Sequence, residues 1–449
     1  MKRLTITLLL FVFAACIHEL PGLAATTHCV TVRVTTATVA DIPKLLADAE
    51  CFEALAATAH TARQRRSYLA SAKYRRDKIA ALKATIPPPP PVVVPPPPPP
   101  ISEGLPSLPS VTSNFDVNAE LVTTAIPPSG VPDVVGAFRF ICNAGQISYD
   151  DPIVYPGQPG KSHLHQFFGN TAANANSTYE SLRTIGESTC GKINRSAYWI
   201  PAMMNGKGKV VRPDYVTIYY KRRPKSDRIV SDVTHPQYMG QARDLPRGMR
   251  YVFGYNMLAM ANQQPGAFWF NCDGPTAVSG HYPDIVAAAA KCPAGNKLGA
   301  LINAPDCWNG KDLDSPDHRS HMAYASYGSW GYLKCPATHP YVVPQFTLGA
   351  WYTVDADLDR SGTWDGSRPT WHLSSDVMPG MAMRKPGTTL HSDWFGAWDD
   401  GVLKMWHDAC IDKLLNCSGG DLGNGLRMKT WSNFSWTANP RVVDAPPNP

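Results

Sequence analysis

The 449-residue chain lacks any long hydrophobic run beyond its first residues. Lys2 and Arg3 precede an almost wholly apolar stretch, Leu4–Ala15, which small residues follow. This stretch is shorter than the roughly 20 apolar residues that span a bilayer, and its flanks are typical of a secretory signal. The sequence therefore predicts a signal peptide over residues 1–25, no transmembrane segment, and a secreted or cell-surface protein.

The chain also lacks C-x-x-C pairs, which argues against a zinc site built from thiolates. Of its eleven cysteines, Cys16 lies in the signal, where Phe13-Ala-Ala-Cys16 resembles a bacterial lipobox, and lipidation there is an alternative that would tether the protein to a membrane. Ten cysteines remain, an even number that favours disulfides in an exported chain. Nearest-neighbour pairing is our prediction, namely 29–51, 142–190, 272–292, 307–335 and 410–417.

Acidic residues are scarce in one short region, which carries most of the net charge. The chain has a net charge of +6, and residues 61–85 alone carry eight basic side chains against Asp77, which leaves the remainder at −1. The main part of the chain therefore shows no charge pattern typical of nucleic-acid binding. Residues 26–86 predict a small basic helical segment of one or two helices. Its charges fit a solvated helix face or a contact with an acidic polymer or anionic lipid.

Three further regions follow this segment. Residues 87–113 begin with two runs of proline, which favour a stiff polyproline II spacer. Residues 114–440 contain short β-branched and aromatic runs that Gly, Pro, Asn and Asp interrupt. They predict a mainly β domain, an antiparallel β-sandwich or jelly-roll-like fold with long loops pinned by disulfides. Residues 441–449 are expected to be a disordered tail.

No G-x-S-x-G elbow, P-loop or Rossmann fingerprint occurs in a usable context. Histidine, the side chain best suited to metal ligation and to proton transfer near neutral pH, is instead concentrated in three short segments. These segments are His163-Leu-His165, Asp317-His318-Arg-Ser-His321 and His391-Ser-Asp393.

The first two segments supply four candidate metal ligands. Residues two apart in a strand share a face, so His163 and His165 could bind one divalent ion, zinc or calcium being the candidates. In a helical turn His318 and His321 would also share a face, and Asp317 or Asp314 could orient an imidazole. The alternative for both segments is a set of histidines that hydrogen-bond to the backbone and have a structural role.

The third segment offers an acid/base pair or two more metal ligands. His391 and Asp393 would lie on one strand face and, with Asp317, are the candidate catalytic groups. Trp394 and Trp398 follow, and their rings could form a platform for sugars or could belong to the core.

A separate acidic stretch partly matches a calcium-binding loop. Counted from Asp357, oxygen-bearing side chains occupy positions 1, 3, 5 and 9, and Gly is at position 6. The ligands would be Asp357, Asp359, Ser361 and Asp365. Arg368 stands at the twelfth position, where such loops have Glu, so a polar hairpin turn is the alternative.

Residues from about Gly136 to Asp399 resemble a family of exported fungal and bacterial domains, catalogued as the domain of unknown function number nineteen ninety-six. Members often occur beside carbohydrate-binding modules of the WSC type, which implies a cell-wall or polysaccharide setting. The resemblance brings no established activity or catalytic residue. The matching stretches are Asp151–Val154, Ser162–Gly169, Ser196–Ala202, Gly248–Arg250, Cys307–Tyr324, Cys335–Pro340 and His391–Asp399.

Three functions are consistent with these features. The first is an exported enzyme, a hydrolase or lyase, that acts on cell-wall or extracellular polysaccharide with a divalent metal or with His/Asp acid/base groups. The second is a non-catalytic carbohydrate-binding or cell-surface module whose histidines are structural. The third is a surface-spacing protein that works through its basic segment and its proline-rich stalk.

Overall fold

The computed structural model describes residues 29–85 except 30 and 32, and residues 104–448 except 263–266, 379, 381 and 430–433. The chain divides into two compact units at residues 100 and 101, and each unit is described by itself. The predicted signal peptide, Cys16 and the proline runs lie outside the described residues.

The first unit is a pair of helices, as predicted for the basic segment. Helix α1 spans Ile42–Ala57 and α2 spans Ala62–Ala84. Thr61 caps α2, since its hydroxyl accepts a hydrogen bond from the backbone amide of Gln64. Leu45 of α1 is fully buried in a small apolar cluster with α2, while most of the basic side chains of α2 are exposed.

The second unit consists mainly of short strands. In chain order they are β1 (Leu121–Thr123), β2 (Gly136–Cys142), β3 (Ile147–Ser148), β4 (His165–Gly169), β5 (Ala197–Pro201), β6 (Met203–Met204), β7 (Lys209–Val211), β8 (Tyr215–Arg222), β9 (Gln241–Ala242), β10 (Arg250–Asn256), β11 (Ala261–Asn262), β12 (Phe268–Asp273), β13 (Lys297–Asn303), β14 (Cys307–Trp308), β15 (Met322–Ala323), β16 (Tyr341–Val342), β17 (Gln345–Thr353), β18 (His372–Leu373), β19 (His391–Phe395), β20 (Asn416–Cys417), β21 (Leu426–Met428) and β22 (Val442–Asp444). The helices of this unit are α3 (Tyr179–Thr184), α4 (Arg228–Ser231), α5 (Ile285–Ala289) and α6 (Asp400–Trp406).

Two six-stranded sheets dominate the second unit. The first sheet has the strand order β11-β10-β19-β5-β4-β3, and all its neighbours are antiparallel. The second sheet has the order β12-β13-β17-β8-β2-β20 and is antiparallel except for the pair β2–β20. Smaller sheets, β15-β14-β16-β9, β18-β6-β7-β22 and β1-β21, complete the unit.

Aromatic side chains pack between the two large sheets. The Phe346 ring of β17 lies 5.8 Å from the Tyr198 ring of β5 and 5.5 Å from the Phe253 ring of β10. The hydroxyl groups of Tyr198 and Tyr220 are 2.9 Å apart, so these buried polar atoms satisfy each other across the core. The facing sheets confirm the predicted fold class, a mainly antiparallel β architecture.

Five disulfides join the cysteines in the predicted nearest-neighbour pattern. They are Cys29–Cys51, Cys142–Cys190, Cys272–Cys292, Cys307–Cys335 and Cys410–Cys417. The first lies in the helical unit and the other four in the β-rich unit. Such a set fits an oxidising compartment outside the cytoplasm. Among the described residues, no helix has both the length and the apolarity needed to cross a membrane.

The structure differs from the predicted boundaries at two places. Residues 104–113 were assigned to the linker, yet the amide of Leu108 donates to the carbonyl of Arg247, and the Leu108 side chain packs on the domain. The predicted disordered tail forms β22, which pairs with β7, and Arg441 donates to Asp355 at 2.8 Å. Both segments are short, and contacts of their apolar side chains with the domain accompany the backbone pairing.

Candidate metal site

Two strands of the first sheet begin with the histidines that the sequence singled out. His165 starts β4 and His391 starts β19, with β5 between them. Phe167 and Asp393, each two residues further on, both pair with Trp199 of β5, so they lie level on one face of the sheet. His165 and His391 share this outer face, because residues two apart in a strand point the same way.

His163, just before β4, completes a cluster of three imidazoles. Its ring centroid is 4.2 Å from that of His165 and 5.0 Å from that of His391. One nitrogen from each of the three rings lies within 4.8 Å of the other two. Within the part of the chain that the structure describes, it is the one such group of three His, Cys, Asp or Glu residues. Leu164 packs away from the cluster, against Ala202.

Hydrogen bonds orient two of these rings. The Nδ1 of His165 lies 3.0 Å from the Asp150 carbonyl, and the Nδ1 of His391 lies 2.9 Å from the Thr389 carbonyl. Each Nδ1 therefore carries the proton, which leaves the lone pair on Nε2. The Nε2 atoms of His163 and His165 are buried and have no hydrogen-bond partner among the described residues. A buried nitrogen without a partner costs about 1–3 kcal/mol, which a bound ion would offset.

Burial keeps all three imidazoles neutral. It lowers the pKa of His163 and His165 below the usual value, and it lowers the pKa of His391 to about 3, with a further contribution from His165. Neutral imidazole is the form that binds a metal ion. Zinc–nitrogen bonds are about 2 Å long, so nitrogens on one ion lie within about 4 Å of each other. The cluster needs only a small further approach to reach that geometry.

A cavity of about 80 Å³ adjoins the cluster. His318 lines it, and its Nδ1 lies 2.8 Å from the Asp314 carboxylate, which in turn binds Arg250. Asp314 thus orients the imidazole and leaves Nε2 as the free lone pair. His318 has a φ of 57°, a left-handed backbone conformation that is uncommon outside glycine.

Three carboxyl groups also line the cavity, those of Asp151, Asp317 and Asp393. Neither oxygen of the buried Asp393 has a hydrogen-bond partner among the described residues. Burial, and then the charge of Asp151, raise the pKa of Asp393, and the Arg319 guanidinium opposes this. Asp151 accepts hydrogen bonds from the amides of Ile153 and Val154. The sequence offered one signal for Asp151, its place in a family-matching stretch, and we assigned it no role there.

Two predicted site residues have other tasks. His321 is fully buried and both its ring nitrogens are occupied, Nδ1 by the Ser315 hydroxyl at 2.8 Å and Nε2 by the Arg250 carbonyl at 3.0 Å. It therefore has no lone pair for a metal. Asp317 accepts bonds from Ser315 and Ser320 and caps the turn that carries His318. The orienting carboxylate is Asp314.

Of the two alternatives for Trp394 and Trp398, a sugar platform or the core, the structure shows the core. Their side chains are only 0% and 4% exposed, so no sugar could stack on them. The Trp394 ring packs on Phe346, and the Trp398 ring packs edge-on against Phe140 in the core. β19 is buried on both faces, so the order of apolar and polar residues along this strand could not show which side chains point inward.

The calcium loop is not formed either. Asp357 binds Lys207 at 2.6 Å and Asp359 binds Arg368 at 3.3 Å. The Asp359 carboxylate also accepts the amide of Ser361, and Asp365 accepts the amide of Ser367. These carboxylates serve a polar turn and do not converge on one point.

Comparison with known proteins finds a family that matches this domain. The family described as a domain of unknown function (DUF1996) matches residues 151–398, more than half of the chain, and these residues include His163, His165 and His391. No curated protein and no solved structure shows significant similarity to the chain. The chain belongs to the DUF1996 family.

Proposed function

We propose that His163, His165 and His391 bind one divalent transition-metal ion, and that the domain is an exported metal-dependent hydrolase or lyase. The observation that carries this proposal is the convergence of three neutral imidazoles, of which His165 and His391 are buried and His163 is half-buried. The Nε2 atoms of His163 and His165 have no hydrogen-bond partner among the described residues. Three protein ligands with an open fourth position are typical of catalytic zinc sites, whereas structural sites are closed.

The ligand atoms favour zinc or a similar ion over calcium. Calcium takes six to eight oxygen ligands, whereas imidazole suits zinc, copper, iron and nickel. The carboxyl groups of Asp151 and Asp393 and the imidazole of His318 surround the open side. A metal ion there would lower the pKa of a bound water towards neutrality, and these groups would then orient the water and the substrate.

A metal-free His/Asp pair is less well supported. Asp393 has no hydrogen-bond partner among the described residues, and the Nδ1 of His391 is taken by the Thr389 carbonyl. In a His/Asp acid/base couple the carboxylate hydrogen-bonds to the imidazole that it orients. The two side chains therefore share a face without forming an acid/base couple.

Polysaccharide is the substrate class that we propose for this centre. The disulfides fit an oxidising setting, and exposed Leu258 is among the residues that line the cavity beside the cluster. The wall setting implied by the sequence resemblance adds to this choice.

Metal content tests the first half of the proposal. The full chain, purified without chelators, should contain about one equivalent of a transition metal by elemental analysis. His165→Ala and His391→Ala should lose it, and His60→Ala, an exposed histidine in the helical unit, should keep it. Metal-free wild-type protein that also fails to take up added zinc would overturn the metal site.

Turnover tests the second half. The loaded protein should release reducing ends or unsaturated sugars from at least one polymer in a panel of extracellular polysaccharides. Asp393→Asn should lower the turnover while the metal content stays near one equivalent. A loaded protein that cleaves no polymer in the panel would refute the enzymatic part and leave the metal site intact.

A further inference from the structure

Aromatic side chains cover the outward face of the second sheet, on the far side of the core from the histidine cluster. Tyr215 and Tyr219 of β8, Trp351 of β17 and Trp269 of β12 are half-buried, while the residues that alternate with them are buried in the core. We call these four residues the aromatic face. Their strands lie in the order β12-β13-β17-β8, so the rings share one surface.

The Trp351 indole lies flat on the sheet. A Cβ placed on Gly299 of the neighbouring strand would meet the six-membered ring at 2.7 Å, so the glycine makes room for it. At its other end the indole Nε1 donates to the Thr217 hydroxyl at 3.3 Å. The Tyr215 ring lies 6.4 Å away at an interplanar angle of 25°, so the two rings form a nearly continuous plate.

Two cations flank this face. The Arg139 guanidinium lies 4.4 Å from the centre of the Tyr219 ring, and the Lys221 ammonium lies 5.4 Å from it. Neither forms a salt bridge with a carboxylate in the described part of the chain. Lys297 differs, because Asp214 neutralises it at 2.7 Å. The Tyr219 end of the face therefore carries two cations that no salt bridge holds, beside flat aromatic surface; Asp306 and Asp133 act on Lys221 only at a distance.

We propose that the aromatic face, with Arg139 and Lys221, binds an acidic polysaccharide. The apolar face of a pyranose ring stacks on the plate formed by Trp351 and Tyr215, and sugar carboxylates pair with the two cations. The aromatic rings and the two cations select this ligand only together, because a neutral glycan needs no cations and a nucleic acid would need a larger basic surface. The aromatic face would anchor the polymer. This proposal does not rest on the proposed function of the histidine cluster, which lies on the outer face of the other large sheet.

Binding of the full chain to polygalacturonate tests the proposal, with the carboxyl-reduced form of the same polymer as the matched neutral ligand. Trp351→Ala and Gly299→Val should each weaken binding about tenfold or more, the second by lifting the ring from the sheet. The double variant Arg139→Gln/Lys221→Gln should weaken it similarly and reduce its dependence on salt. Trp330→Ala removes a 49% exposed tryptophan outside the face and should change nothing.

Unchanged thermal unfolding and metal content would show that each variant is folded. Absence of binding to polygalacturonate, equal binding to the reduced polymer, or equal loss in Trp330→Ala would each overturn the proposal. Sedimentation equilibrium adds one more outcome. Self-association that Trp351→Ala abolishes, in a protein that does not bind the polymer, would assign the face to a second copy of the chain and would also overturn it.

Discussion

Gly254 packs against the backbone of His391, so a substitution there should displace this histidine without removing any side chain of the candidate site. It lies opposite His391 in the β10–β19 pair and has a φ of 88°. A Cβ added there would lie 2.8 Å from the Leu390 carbonyl oxygen and 2.9 Å from the Cα of His391. Both are backbone atoms, which cannot rotate away, so Gly254→Ala must push β19 aside.

The expected loss of unfolding free energy in Gly254→Ala has two parts, which a matched control variant separates. A non-glycine residue in the left-handed region costs about 1–2 kcal/mol. Overpacking against backbone adds about 1–3 kcal/mol. Gly208 has a similar φ of 78°, but a Cβ there would meet nothing within 4 Å. Gly208→Ala should therefore show the first cost alone, and Gly254→Ala should show both.

Guanidinium unfolding and elemental analysis measure the two consequences. Gly254→Ala should lose about 1–3 kcal/mol more free energy of unfolding than Gly208→Ala. It should also hold less metal, because bonds of about 2 Å tolerate little displacement of a ligand. Equal destabilisation of the two variants, or full metal content in Gly254→Ala, would refute the reasoning about this contact.

Three further predictions follow from the core, the disulfides and the charged turn. Trp394→Ala should cost about 3–5 kcal/mol of unfolding free energy because it empties a fully buried site, whereas exposed Trp330→Ala should change it by less than about 0.5 kcal/mol. Replacing both Cys307 and Cys335 by Ala should cost about 2–4 kcal/mol by denaturant unfolding, because their 28-residue loop is no longer closed. Partial burial raises the pKa of Asp317, but hydrogen bonds from Ser320 and Ser315 outweigh it and lower the pKa. The carboxylate should therefore stabilise the fold above the unfolded pKa of about 3.9 and lose that effect as the pH falls below it. In Asp317→Asn, the unfolding midpoint should fall less steeply between pH 6 and pH 3 than in the wild type.

Each of these has a clear contrary result. A small loss in Trp394→Ala would mean that the ring is not packed between the sheets. An unchanged midpoint without the 307–335 bridge would mean that other contacts hold this loop. An identical acid profile in wild type and Asp317→Asn would show that the turn does not depend on the charge of that carboxylate.

The histidine cluster was partly predictable. The H-x-H spacing predicted that His163 and His165 lie on one face, and the structure brings both rings together with that of His391. The sequence grouped His321 with them, but its two nitrogens are occupied by Ser315 and Arg250. Local spacing shows which side chains share a face, whereas the partners of a buried imidazole come from segments far away in the chain.

The aromatic residues show the opposite outcome. The sequence left a sugar platform and the core as alternatives for Trp394 and Trp398, and the structure buries both. Trp351 was not singled out, yet it lies flat on an open sheet face above Gly299. A tryptophan in a strand has the same local pattern in either place, and only the packing of the sheets decides which face is covered.

The sequence by itself determined the mainly β class and the helical segment before it, because strand and helix composition are local properties. It gave the nearest-neighbour disulfide pattern only as a hypothesis, since the order of cysteines does not determine their pairing. Tertiary structure alone decided which histidines meet. His165 and His391 are far apart in sequence and belong to strands that β5 separates, so the register of three strands brings them together. The packing of the two sheets on each other likewise decided that Trp394 of β19 faces the core and that Trp351 of β17 lies on the outward face of the second sheet.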